Sequence, residues 1–240
     1  MHVTRFDIGR QTREQRAGLL VVIGLLSLLL WQTAIGSIVL YPFTILATWF
    51  HEMGHGLTSM LTGSEFERLV IYADGSGQSL SRTPVDQSRF ADALVAAGGP
   101  LGPPLAGAGL ILASRTAKSS RIALSILGAA LLASCLIWVR SLVGLAVLAP
   151  FGAALLALAW KGSRDWSRFG VQVLGVEAAI STWQHLGYLF TAGGVVGGIS
   201  QRSDTQVIAD ALVLPYWFWG GAISLGIALL LWWSLRRALR

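Results

Sequence analysis

The long apolar runs of this sequence constrain its fold more than any other feature. A helix that crosses a membrane needs about 20 mainly apolar residues. Stretches near or above that length occur at residues 17–33, 38–61, 90–113, 122–139, 142–160, 171–190 and 211–233. Only 12% of the residues are charged, whereas a soluble domain carries about 25%. We therefore predict an all-α integral membrane protein, a polytopic bundle of about six transmembrane helices that forms a single domain over residues 1–240.

The basic residues give a net charge of +6, but they do not form a nucleic-acid-binding face. They occur in short clusters between the apolar runs, at residues 5–16, 115–121, 161–168 and 236–240. Such clusters flank membrane spans and favour the cytoplasmic side. We therefore exclude nucleic acid as a partner and expect a cytoplasmic N-terminus. Because no small-residue cleavage site follows the first run, we predict an uncleaved first span.

Glycines and prolines interrupt the third run, in the segment Gly98-Gly99-Pro100-Leu101-Gly102-Pro103-Pro104. Proline removes helix hydrogen bonds, and broken backbone at membrane depth must be covered by protein or line a water cavity. We therefore predict an interior segment that is kinked or re-entrant. Re-entry would gather the basic clusters on one side, but it would separate the loop at 191–210 from the loop at 65–89. The orientation therefore stays open.

A polar stretch, residues 62–88, separates the second and third runs. Within it, residues 66–72 are rich in strand-forming side chains and lead into the turn Asp74-Gly75-Ser76-Gly77. This pattern predicts a small hairpin at the membrane surface. Glu65 and Glu67 belong to this hairpin, and we interpret them as surface charge.

The sequence His51-Glu52-Met53-Gly54-His55 lies inside the second apolar run. Residues at i and i+4 share one helix face, so both imidazoles can reach one metal ion. Zinc accepts such ligands, and Glu52 is placed to act as general base on a water at the open position. Because ionisable groups inside a membrane are costly, we interpret the motif as a catalytic site for one zinc ion. The alternative is a hydrogen-bonded polar cluster that joins helices.

Zinc needs a third protein ligand, and four side chains are candidates. Asp204 and Asp210 precede the last run and can point inward, although either can instead cap a helix. Glu177 and His185 lie in the sixth run without a metal-ligand spacing, and we interpret them as structural or substrate-path polarity. The single cysteine, Cys135, lies in an apolar run and is interpreted as a core residue.

His51-Glu52-Met53-Gly54-His55-Gly56 resembles the motif of the site-2-protease family of intramembrane zinc metalloproteases, and most closely its short bacterial branch without a PDZ domain. Further stretches are similar to the family: the hairpin ending in Asp74-Gly75-Ser76-Gly77, the segment Ala97-Gly98-Gly99-Pro100-Leu101-Gly102, and the region with Ser203-Asp204 and Leu214-Pro215-Tyr216-Trp217. The resemblance spans about residues 40–219.

The resemblance implies hydrolysis of peptide bonds in membrane-protein substrates, within a lipid bilayer that we expect to be the bacterial cytoplasmic membrane. It implies that His51, His55 and Asp204 bind zinc and that Glu52 is the catalytic base. The sequence departs from the family at residues 202–205, Arg-Ser-Asp-Thr, where well-known members carry Asn-Pro-Asp-Gly or Leu-Asp-Gly. We further expect the strand at residues 65–72 to hold an extended substrate by backbone pairing.

Two alternatives belong to other functional classes. One is a catalytically inactive membrane regulator that retains the metal site, and the other is a transporter whose intramembrane histidines and acids carry ions or protons. Glu52 favours hydrolysis over both, because a site that only binds metal needs no base. The interrupted third run weakly favours a transporter, but no second interrupted run matches it.

Overall fold

The computed structural model of the protein describes residues 13–184 and 186–240. In these residues the chain forms eight α-helices, a 3-10 turn and two antiparallel hairpins. In chain order the elements are α1 (Arg13–Trp31), α2 (Ala34–Leu61), β1 (Glu65–Ile71), β2 (Gly77–Arg82), α3 (Arg89–Ala113), α4 (Ala117–Ile137), α5 (Leu142–Lys161), α6 (Arg164–Gln184), the 3-10 turn Leu186–Phe190, β3 (Gly193–Val196), β4 (Ile199–Arg202), α7 (Asp204–Ala211) and α8 (Tyr216–Ala238).

Six helices in the described part of the chain, α1 to α5 and α8, are long and apolar enough to cross a membrane. The prediction of an all-α, multi-pass membrane protein is therefore confirmed. The predicted span at 171–190 differs, because α6 ends at Gln184 and is too polar to count among the six. It lies inside the bundle, where Gln172 and Glu177 are 0% and 4% exposed. These two polar groups are therefore enclosed by protein.

Helix α3 continues without interruption through its three prolines, which are buried. The predicted interior position is confirmed, but the re-entrant alternative is wrong. The physical reason is close packing against α2. A Cβ at Gly98 would lie 2.6 Å from the carbonyl oxygen of Gly54, and one at Gly102 would lie 2.2 Å from that of Phe50. The glycines let the two backbones touch, and neighbouring helices stabilise the proline-containing segment in helical form.

Basic residues from separate helices gather at one end of the bundle. Arg16 donates to the carbonyl of Ala238 at 2.7 Å, and Arg168 donates to the carbonyl of Ser114 at 3.4 Å. The α2–β1 turn contacts the residues before α3 at the opposite end. The described contacts of Arg16 and Arg168 therefore lie at the end of the bundle where α3 and α8 finish.

The predicted hairpin is confirmed as β1 and β2, joined by a turn in which Gly75 has a φ of +86°. It packs into the helix bundle rather than on its surface, because Leu69 and Ile71 belong to the main apolar core. The outer edge of β1 is occupied. The Leu69 amide donates to the carbonyl of Trp138 at 2.8 Å, and the Arg140 amide donates to the carbonyl of Leu69 at 2.9 Å. The strand expected to hold substrate thus has no free edge, whereas β2 borders a cavity.

A second hairpin, β3–β4, and helix α7 occupy residues 191–210, which the sequence had predicted to be a loop. Gly197 and Gly198 form its turn with φ values of +56° and +81°. The turn reaches the first hairpin, since a Cβ at Gly197 would lie 2.4 Å from the Tyr72 ring. The two polar segments therefore lie on the same side of the bundle. The last span also starts later than predicted, at Tyr216 after the helix-starting Pro215.

Candidate metal centre

His51 and His55 project from one face of α2, as their spacing predicts. Their Nε2 atoms are 3.1 Å apart. The Nδ1 atom of His55 lies 2.8 Å from the carbonyl oxygen of Val95 on α3. Because a carbonyl only accepts hydrogen bonds, Nδ1 is the protonated nitrogen, and the lone pair of Nε2 is available to a metal ion.

Asp204 reaches the two histidines from the first turn of α7. Its Oδ2 atom lies 3.2 Å from Nε2 of His51, and its Oδ1 atom lies 3.3 Å from Nε2 of His55. Ser203 caps this helix, because its hydroxyl accepts the amide of Gln206. The capping role that the sequence left open for Asp204 is therefore filled by its neighbour, and the carboxylate points to α2.

The spacing of these three side chains fits one zinc ion. Tetrahedral zinc binds nitrogen and oxygen at about 2.0–2.2 Å, which places its ligand atoms about 3.3–3.6 Å apart. The observed separations of 3.1, 3.2 and 3.3 Å, in which each histidine faces a different oxygen of Asp204, lie close to that range. Asp204 Oδ2 is buried and without a hydrogen-bond partner. A Cβ at Gly99 would lie 2.1 Å from Nε2 of His55, so the glycine leaves open the space beside the ligand atoms.

The local electrostatics keep Asp204 ionised. Burial raises the pKa of this carboxyl, but the proximity of His55 and His51 lowers it, and the net pKa lies below its ordinary value. The ionised carboxylate is the form that binds a metal ion.

Glu52 lies next to this group and lines the same cavity. It is only 6% exposed. Strand β2 packs directly against it, since a Cβ at Gly77 would lie 3.0 Å from Oε1 of Glu52 and 2.5 Å from Cγ2 of Thr48. Glycine at this position allows the strand to approach. A buried carboxylate beside a water-accessible cavity can accept a proton from water.

The other candidates for the third ligand have different surroundings. Asp210 accepts a hydrogen bond from an arginine of β4 at 2.7 Å. Glu177 accepts from Ser27 and, at 3.5 Å, from the indole of Trp31, which agrees with the structural role inferred from the sequence. His185 lies outside the described residues.

Two further sequence interpretations agree with the structure. Glu65 and Glu67 are exposed and pair with Arg82 across the hairpin, at 3.6 and 2.6 Å. Cys135 is buried in the apolar core. None of these side chains lines the cavity of the metal centre.

The candidate metal centre opens into a cavity of about 950 Å³. Strand β2 forms part of one wall, with Gly77, Gln78, Ser79 and Ser81. The β3–β4 hairpin forms another, with Gly194, Val195, Val196 and Gln201. The cavity is large enough for a peptide segment, and both hairpins would contact it.

Three residues at this centre were not predicted from the sequence: Gly77, Gly99 and Tyr188. Gly77 and Gly99 lie in stretches that the family resemblance had identified, but their role as space beside Glu52 and His55 depends on packing between distant segments. Tyr188 lines the cavity, and nothing in its sequence context distinguishes it from a packing aromatic.

The fold and the site define a multi-pass membrane protein with a candidate metal centre inside its helix bundle. The model of the family described as Peptidase M50B-like matches residues 19–234. The chain therefore belongs to this family, which is the site-2-protease family of intramembrane metalloproteases. Neither the curated proteins nor the solved structures give a significant match. The family resemblance read from the motifs is confirmed.

Proposed function

We propose that this protein is an intramembrane zinc endopeptidase that hydrolyses peptide bonds of membrane-protein substrates. His51, His55 and Asp204 hold one zinc ion, and Glu52 is the general base. The chain acts as a single domain in the bacterial cytoplasmic membrane. The observation that carries the proposal is the convergence of three metal-binding side chains at distances close to those of a zinc site in the same cavity as Glu52.

A zinc ion in this position supplies Lewis-acid chemistry, since it polarises a carbonyl and lowers the pKa of water. Glu52 accepts a proton from the water that attacks the peptide carbonyl. It then delivers a proton to the amine nitrogen as the carbon–nitrogen bond breaks. The enclosed position of Glu52 strengthens its electrostatic effect in both steps.

The outer edge of β2 is the proposed binding surface for the peptide. Leu69 directs its backbone groups to the outer edge of β1 and pairs with Ser79 of β2. In an antiparallel pair, opposite residues direct their backbone groups either both inward or both outward. The amide and carbonyl of Ser79 therefore point to the cavity side. An extended substrate can pair with this edge and present its carbonyl to the centre.

The retained base and the continuous α3 argue against the two alternatives. An inactive regulator needs no buried carboxylate beside its metal ligands. A transporter had been favoured only by an interrupted third helix, and α3 is uninterrupted.

The test compares purified wild type with Glu52→Gln and with Glu67→Gln, which makes the same change on an exposed side chain. Zinc content and cleavage of single-span substrates are measured for each. We expect equal zinc in all three proteins, with cleavage lost only in Glu52→Gln. Zinc-loaded wild type that cleaves no member of a broad substrate panel would overturn the proposal and favour the inactive regulator.

A further inference from the structure

Tyr188 is the one aromatic hydroxyl, among the described residues, that lines the cavity of the metal centre. Its chain segment is the 3-10 turn Leu186–Phe190, which precedes β3. The carboxylates of Asp204 and Glu52 both act electrostatically on the hydroxyl. The phenol lies in the same cavity as the proposed metal ligand and the proposed base.

Hydrogen bonds connect the chain segment around Tyr188 to the start of α7. On one side of Asp204, the hydroxyl of Ser203 donates to the carbonyl of Thr191 at 2.5 Å. On the other side, the hydroxyl of Thr205 donates to the carbonyl of Leu189 at 2.9 Å. Ser203 and Thr205 are each 0% exposed. The phenol and the carboxylate are thus positioned by one buried network.

The hydroxyl of Tyr188 can accept one hydrogen bond and donate another. The backbone amide of Asp204 lies close enough to hydrogen-bond to it. A phenol that accepts such a bond still has its own proton available as a donor. Because Tyr188 lines the cavity, a substrate carbonyl that approaches Glu52 and the ligand atoms can accept this hydrogen bond.

We infer that Tyr188 is a catalytic residue that donates a hydrogen bond to the substrate carbonyl oxygen as negative charge develops on it. The inference rests on the proposed peptidase function and adds a residue to that mechanism. As water oxygen bonds to the carbonyl carbon, the carbonyl electron pair moves to its oxygen, and the phenol stabilises that oxygen. The proton stays on Tyr188, and the carbonyl re-forms when the amine departs. A fixed donor of this kind stabilises the transition state more than the ground state.

The test uses the full-length protein with Tyr188→Phe, which keeps the ring and removes only the hydroxyl. Tyr216→Phe, at the start of α8 and outside the cavity, is the matched control. Three quantities are measured: zinc per chain, kcat and KM for a single-span substrate, and affinity for a phosphinic peptide, a tetrahedral mimic, beside that for an uncleaved peptide.

For Tyr188→Phe we expect a decrease in kcat of about 100-fold, the usual effect of losing one such donor. Zinc content and KM stay at wild-type values, the phosphinic peptide binds more weakly, and the uncleaved peptide binds equally well. Tyr216→Phe behaves as wild type.

Two results would overturn the inference while leaving the peptidase proposal intact. Unchanged kcat would show that the hydroxyl has no role in the reaction. Lost zinc would show that Tyr188 positions Asp204 instead of contacting substrate. Absence of cleavage by wild type is a different failure, since it removes the peptidase function on which the inference rests.

Discussion

Gly99 of α3 lies against the Nε2 atom of His55 on α2, so closely that a Cβ at position 99 would be 2.1 Å from it. The same Cβ would be 2.7 Å from Nε2 of His51. A residue with no metal-binding chemistry therefore defines the space that an ion would occupy.

Gly99→Ala is expected to displace both imidazoles and to lower zinc affinity by at least about 10-fold, as the loss of supporting interactions around a metal site does. Zinc affinity is measured by competition with a chromophoric chelator. Gly109→Ala is the control on the same helix, because nothing lies within 4 Å of a Cβ there. Wild-type zinc affinity in Gly99→Ala would contradict the proposed position of the ion.

Asp204→Ala is expected to lower zinc affinity by more than about 100-fold, because losing even an outer partner of a ligand costs about 10–100-fold. Asp210→Ala, which removes a carboxylate already paired with β4, should keep its zinc. Zinc retained at wild-type affinity in Asp204→Ala would exclude this residue as the third ligand and direct attention to Asp210 or Glu177.

Gly77→Ala is expected to lower the rate of cleavage without changing the zinc content. The new methyl group would collide with Thr48 and Glu52, which forces either the base or strand β2 to move. A displacement of about 1 Å at a catalytic group costs about 100-fold in rate. Zinc content should not change, since the atoms nearest to the new Cβ belong to Thr48 and Glu52 rather than to a proposed ligand. Gly221→Ala, in open space on α8, is the control, and equal cleavage by Gly77→Ala and this control would refute the prediction.

Ser79→Pro tests the pairing of substrate with β2. Proline removes the outward-facing amide of residue 79 without removing a bond of the β1–β2 ladder. The loss of one hydrogen bond, about 1 kcal/mol, should raise KM about 5-fold. Ser79→Ala keeps the amide and should cleave as wild type. Identical KM values for the proline and alanine variants would remove strand pairing from the mechanism.

The membrane fold and the two histidines were predictable because they depend on local pattern. Apolar runs of span length specify the helices, and a four-residue spacing places His51 and His55 on one face of α2. The β1–β2 hairpin was also predictable from the turn at Asp74–Gly77. Which strand edge is available to a substrate was not predictable. The outer edge of β1 is paired with the Trp138–Arg140 segment, which lies about 70 residues away in the chain.

The errors arose where tertiary contacts override local preference. Prolines in α3 predicted a break, but close packing of Gly98 and Gly102 against α2 stabilises a continuous helix. Strands β3 and β4 have only four residues each, too short for an alternating pattern, so the hairpin was read as a loop. Asp204 was identified from family resemblance, and only the structure brings its carboxylate to the histidines.

Zinc K-edge X-ray absorption of the purified wild-type protein tests the central claim most directly. The account predicts one zinc ion per chain, with imidazole scattering from two histidines and a carboxylate oxygen, all at about 2.0–2.2 Å. In Asp204→Ala the imidazole signal should weaken together with zinc content. A shell of water oxygens without imidazole scattering, or purified protein that binds no zinc, would contradict the account.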